Sequence, residues 1–240
     1  VTSLKLDYLS PNDIVSTGLP ELDQMFTRGG IFRGSTTLIT GTAGTAKTIL
    51  ASYFAMGSYH RNEPIVYFSF EESPDQVIRN MRTIGLDFEP AIQSNLLHLH
   101  ASRPSLQGLE MHLLALQTML DKFNPKTVII DPISSLITIG SGSEVRGMLV
   151  RLVDLLKTRQ INAVFTSLNH GYESELTETI AESVSSLADT WINLRNDSKS
   201  GARTRSLLIV KTRGMGHVNL ERDFTITTQG IEFKNDLITL

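Results

Sequence analysis

The sequence of 240 residues contains no cysteine and only one tryptophan. Without cysteine there is no disulfide, no Cys-ligated zinc and no thiol nucleophile. Long apolar runs are missing as well, and none approaches the ~20 residues that a membrane-spanning helix needs. Val1–Pro11 lacks the basic-then-apolar pattern of an export signal, so a soluble, cytoplasmic protein is the expectation. There is no basic excess, because 22 Lys and Arg against 25 Asp and Glu leave a net charge of −3. That argues against whole-surface affinity for nucleic acid and still permits a local basic channel. Internal repeats and low-complexity segments are absent too. The chain that remains is 40% hydrophobic and 20% charged, long enough for one sizeable α/β domain and short for two. It begins with Val and stops in a strand-like stretch, Leu237–Leu240, so it reads as a fragment. Residues 1–12 read as a leading segment and residues 13–240 as one domain.

The apolar pattern alternates between strand and helix periods. Strands are predicted at Thr36–Thr40, Ile65–Phe70, Leu96–His100, Thr127–Asp131, Ala163–Thr166 and Thr190–Leu194. Helices are predicted from Lys47 to about Tyr59, from Pro74 to about Ile84, over Leu106–Phe123, and along the face marked by Val145, Met148, Leu149, Leu152, Val153 and Leu156. Strands separated by helices imply parallel pairing with right-handed crossovers. Arg205–Lys211 and Phe224–Thr227 have little helix between them and predict an antiparallel extension. In such sheets ligands sit at the C-terminal ends of the strands, so chemical residues should fall just after strands.

The segment Gly41-Thr42-Ala43-Gly44-Thr45-Ala46-Lys47-Thr48 does so, closing one predicted strand and opening a helix. That is the context of a phosphate-binding loop, in which backbone N–H groups and a helix N-terminus face the phosphates. Lys47 would reach the β- and γ-phosphate oxygens, and the Thr48 hydroxyl would meet Mg²⁺. Ala46 stands where glycine is usual. Its methyl is tolerable at negative φ and damaging where a phosphate must touch Cα. The plainer reading is an ordinary Gly/Thr turn.

Glu71 and Glu72 follow the strand Ile65–Phe70 directly. Adjacent carboxylates there can polarise a water or hydroxyl for attack on the γ-phosphorus. In extended chain they would point opposite ways, one to the site and one to support it. The alternative is a solvated helix start at Ser73-Pro74-Asp75. Asp131 ends the run Thr127–Asp131, and an acid beside the phosphate-loop strand would hold Mg²⁺ directly or through water. His98, His100 and His112 lack metal-ligand company.

Taken together, Ser16-Thr17-Gly18-Leu19-Pro20-Glu21-Leu22-Asp23, the phosphate loop, Phe70-Glu71-Glu72-Ser73, Ile130-Asp131 and Lys211-Thr212-Arg213-Gly214 resemble the KaiC family of RecA-like clock ATPases. The resemblance runs from about Asp13 to Phe233 and is closest to the C-terminal KaiC domain. It implies a P-loop NTPase fold, ATP and Mg²⁺, and a homo-oligomeric ring, a hexamer, with nucleotide between neighbouring subunits. It makes Glu71 and Glu72 the catalytic pair and places Thr42 to Thr48 and Ser73 at the nucleotide. Lys211, Arg213 and His217 would reach the neighbour's nucleotide, and Arg146 would lie near the subunit interface. Lys211 and Arg213 can also be read as solvent-facing residues of an edge strand.

Ser185 and Ser186 align with the Ser-Thr pair that the C-terminal KaiC domain autophosphorylates. Here the pair is Ser-Ser, and the upstream threonine of that cluster is Ile180. Glu178 and Glu182 raise the local cost of phosphate charge, and Ser183, Ser185 and Ser186 can also be read simply as polar residues of a surface segment. The implied function is a ring ATPase and serine/threonine autokinase of clock-type timing or signalling, with KaiA-like or KaiB-like partners and no membrane. Two alternatives stay open. A RadA-like DNA-dependent ATPase needs basic channel loops, but Asn169–Ser186 carries four glutamates and no Lys or Arg, which disfavours phosphate contact. A scaffold that binds ATP with little turnover is kept open by Ala46.

Overall fold

The computed structural model describes residues 9–168, 185–199 and 202–234. Leu237–Leu240, Ile180, Ser183 and most of the acidic Asn169–Ser186 loop lie outside them. In chain order the elements are β1 Ile14–Val15, α1 Pro20–Asp23, β2 Ile31–Phe32, β3 Thr36–Gly41 and α2 Lys47–His60. Then come β4 Ile65–Ser69, α3 Pro74–Arg82, α4 Glu89–Gln93, β5 Leu97–Ala101 and α5 Leu109–Phe123. β6 Thr127–Asp131, α6 Gly142–Thr158, β7 Asn162–Leu168 and β8 Thr190–Lys199 follow, and β9 Ala202–Thr212, β10 Arg222–Thr227 and β11 Gly230–Phe233 complete the described fold.

Nine strands form one sheet in the order β11-β10-β9-β8-β3-β7-β6-β4-β5. The six strands from β8 to β5 run parallel, and β9, β10 and β11 extend the sheet antiparallel. This is the expected RecA-like α/β arrangement. β3, β4 and β6 are buried at every residue, as parallel strands covered on both faces must be. Side chains alternate between the faces. Ile39 joins the core beneath α2 and α3 with Leu50, Phe54 and Met81, and Leu38 joins the core beneath α5 and α6 with Leu116, Leu149 and Phe165. Each fully buried side chain of this size stabilises the fold by about 1.5–3 kcal/mol.

The helix starts have visible causes. Pro74 occupies the first turn of α3, and Ser73 and Gln76 form a reciprocal capping box there. Ser141 and Glu144 do the same for α6, satisfying backbone donors that a helix start leaves unpaired. The segment predicted helical from Leu106 begins its α-helix at Leu109, after a short 3-10 turn at Pro104–Leu106. The Ser16–Asp23 motif is structural. The backbone N–H and hydroxyl of Thr17 both donate to Asp23 Oδ1 at 2.8 Å, and Gly18 lies against α2. A Cβ on Gly18 would sit 2.0 Å from the Tyr53 carbonyl oxygen, so only glycine lets this segment pack on the helix that follows the phosphate loop.

Candidate active site

One cleft of about 630 Å³ collects the chemical residues. Its lining includes Ala43, Gly44, Ala46, Lys47, Thr48, Glu71, Glu72 and Asp131, contributed by the ends of β3, β4 and β6 and the start of α2. All lie at the C-terminal ends of parallel strands, where the topology leaves backbone groups open to a ligand.

The phosphate loop is shaped from within. Lys47 is buried, and its Nζ donates to the carbonyls of Gly41 at 2.9 Å and Thr42 at 2.8 Å. Burial lowers the Lys47 ammonium below its ordinary value, and the carboxylates of Asp131 and Glu71 oppose that shift. The buried Thr45 hydroxyl donates to the Thr42 carbonyl at 2.9 Å. α2 starts with no side-chain cap, so its first amide donors face the cleft, as an anion site requires. Ala46 has φ 82° and ψ 25°. The condition of negative φ is therefore not met, and the methyl is held in left-handed backbone that favours glycine.

The glutamates differ from expectation. The chain bends at Phe70–Glu72 instead of continuing extended, so both carboxylates enter the same cleft. Ser135 donates to Glu71 Oε1 at 2.9 Å, and Asn80 donates to Glu72 Oε1 at 2.7 Å. Partial burial, followed by the charge on Asp131, raises the Glu72 carboxyl above the usual carboxylate range, and the Asn80 hydrogen bond works against that. A raised carboxyl with an oxygen facing the cleft suits a general base.

Asp131 also corrects an expectation. It does not lie on the strand next to β3, because β7 runs between them. β7 contributes directly: the Thr166 hydroxyl donates to Asp131 Oδ1, and Tyr67 donates to Oδ2 at 2.8 Å. Burial, then the Asp131 charge, pushes the Tyr67 phenol well above its usual value, so it remains a donor. Among the described residues no group of three or more His, Asp or Glu is placed to hold a metal ion. Magnesium does not need one, since it is commonly held by one or two protein oxygens together with substrate phosphates and water. Thr48 and Asp131, both at the cleft, fit that requirement.

Other predicted residues lie elsewhere. Ser73 is committed to its capping box. Arg146 is exposed on α6 and does not line the cleft. Lys211 and Arg213 follow the sheet to its opposite end, where their side chains donate to the carbonyls of Ser185 and Ser186. Burial first, and then Arg213, lowers the Lys211 ammonium. Nδ1 of His217 pairs with the Thr212 hydroxyl at 3.0 Å.

Sequence reading missed Arg205 on β9, whose Nε donates to the Gly44 carbonyl at 3.0 Å and which lines the cleft. It also missed the brace behind the loop, where Trp191 Nε1 donates to the Thr40 hydroxyl at 2.8 Å and that hydroxyl pairs with Asn193. No local signal marks either, because the partners are more than 150 residues apart.

The family pattern described as the KaiC ATPase matches residues 15–237. The chain belongs to the KaiC family. It is 42% identical over 235 residues to the circadian clock protein KaiC2 of Synechocystis, covering 97% of this chain and 41% of that protein. It is 33% identical to the circadian clock oscillator protein KaiC of Prochlorococcus marinus (strain SARG), covering 97% of this chain and 46% of that one. For the KaiC of Synechococcus elongatus the identity is 32%, with 97% and 44% covered. The chain thus spans less than half the length of these curated relatives. No helix among the described residues is long and apolar enough to cross a membrane. A KaiC ATPase domain implies ATP as the ligand.

Proposed function

We propose that this KaiC-family domain binds Mg·ATP in the Lys47–Asp131 cleft and hydrolyses it within a homo-oligomeric ring. The observation that carries the reading is the convergence of a buried lysine, an uncapped helix start and three carboxylates on one cleft of about 630 Å³. Backbone N–H groups of Gly44–Thr48 and the Lys47 ammonium bind the phosphates. Thr48 and Asp131 hold the magnesium, which when bound neutralises charge on the phosphate oxygens. Glu72, raised and steadied by Asn80, takes the proton of an attacking water, and Glu71 orients that water from the other side. Water oxygen bonds to the γ-phosphorus as the bond to ADP breaks. Lys211 and Arg213 of one protomer supply cations to the nucleotide of the next, stabilising charge that develops there.

The same geometry supports a kinase reading. Lys211 and Arg213 grip the backbone of Ser185 and Ser186, so cations and hydroxyls travel as one unit. A neighbour's cleft that receives the cations would also receive the serines. The Ser185 or Ser186 hydroxyl would then replace water as nucleophile, passing its proton to a glutamate as ADP leaves. A hexamer, a role in circadian-type timing, KaiA-like or KaiB-like partners and a cytoplasmic site belong to this proposal. The left-handed Ala46 favours a third reading, an ATP-bound scaffold with little turnover.

Intact-mass measurement after incubation with Mg·ATP, with peptide mapping across residues 173–195, separates these readings. Phosphate on Ser185 or Ser186, absent from the Glu71→Gln/Glu72→Gln protein, is the expected result. ADP release without phosphate would leave a ring ATPase and remove the kinase. Neither product would leave the scaffold.

A further inference from the structure

Tyr67 lies in the middle of β4, fully buried, with its ring 6.4 Å from that of Phe88. The apolar core beneath α2 asks for the ring and not for the hydroxyl. A buried hydroxyl is costly unless it is bonded, and this one is committed to Asp131 Oδ2 at 2.8 Å. The Thr166 hydroxyl pins the other oxygen of the same carboxylate. A carboxylate held at one oxygen can still swing about its Cβ–Cγ bond, and one held at both cannot. Partners of this kind, one bond behind a ligand, orient it and tune its affinity.

We infer that Tyr67 is a positioning residue, whose phenol, together with the Thr166 hydroxyl, fixes the rotation of the Asp131 carboxylate in the cleft it shares with Thr48, where it would support a divalent cation. This rests on the proposed reading of Asp131 as metal support. Tyr67 touches neither nucleotide nor metal itself. Its influence should therefore show in how strongly magnesium promotes nucleotide binding, not in nucleotide binding without metal.

The test titrates a fluorescent ATP analogue into the purified chain, once with saturating Mg²⁺ and once in EDTA. The ratio of the two affinities measures the help given by the metal. Tyr67→Phe keeps the ring in the core and should reduce that ratio by about tenfold while the affinity in EDTA stays at the wild-type value. Asp131→Asn, measured alongside, should reduce it at least as far. Equal weakening with and without Mg²⁺ in Tyr67→Phe would mean a merely structural role and overturn the inference. A wild-type ratio in Tyr67→Phe with a collapsed ratio in Asp131→Asn would overturn it and leave the Asp131 reading standing. A wild-type ratio in Asp131→Asn would overturn both. If Tyr67→Phe does not fold, Thr166→Val tests the other hydrogen bond that fixes the same carboxylate. A lower ratio there supports the inference, and an unchanged one overturns it.

Discussion

Ala46→Gly should stabilise this domain, although glycine lowers helix stability at interior positions. Ala46 is held at φ 82° and ψ 25° at the N-terminus of α2. An L-residue in that region carries about 1–2 kcal/mol of steric strain that glycine does not. Two effects oppose the gain. Glycine loosens the unfolded chain, at about 0.4–1 kcal/mol. The Ala46 methyl is half-buried against the core beneath α2, and losing it costs about half of the ~0.8 kcal/mol of a buried CH₂. Strain wins, and the net gain is about 0.5 kcal/mol, or about 1–2 °C in Tm for a chain of this size. Ala46→Val places a branched side chain on the same backbone and should lose more than about 1 kcal/mol. Differential scanning calorimetry without nucleotide reads both variants against wild type. A glycine variant less stable than wild type by 1 kcal/mol or more (a threshold set from the same terms), or a valine variant as stable as wild type, would refute the reasoning.

Lys47→Ala removes a buried ammonium from the phosphate loop and should weaken ATP binding by about 10–100-fold, read by calorimetric titration, with a lower oligomer fraction by light scattering. Asn80→Leu deletes a donor that stabilises ionised Glu72. The Glu72 carboxyl then rises further, the deprotonated base is reached only at higher pH, and the acid limb of the ATPase profile should shift upward. An unchanged or downward-shifted limb would remove Glu72 as the base. Arg205→Ala frees the Gly44 carbonyl from its tether and should raise KM for ATP several-fold, by about the 0.5–1.5 kcal/mol of one net hydrogen bond.

The legible parts of this protein are those whose signal is local. The phosphate loop could be read because a β-branched run, glycines and a lysine opening an apolar helix all sit within about a dozen residues. Thr127–Asp131 and Glu71–Glu72 could be read because each follows an apolar strand. The antiparallel extension at β9 and β10 followed from the missing helix between them. What stayed hidden depends on register and on bends. β7 comes between β3 and β6 because of the sheet order, which no strand announces by itself. The two glutamates share a cleft because the chain bends at Phe70–Glu72, where extended alternation would have separated them. Arg205 and Tyr67 act across the sheet, and each looks locally like an ordinary strand residue. β1, β2 and α4 are too short for a periodic pattern. Ser73 carried two signals, family motif and helix cap, and its side chain answers to the cap.

The most direct test of the account is ATP turnover by the purified chain beside its Glu71→Gln/Glu72→Gln variant, with nucleotide affinity measured on both. The account predicts unchanged Mg·ATP binding and loss of phosphate release by about 100-fold or more, the scale of a removed general base. Full turnover in the double variant would contradict it.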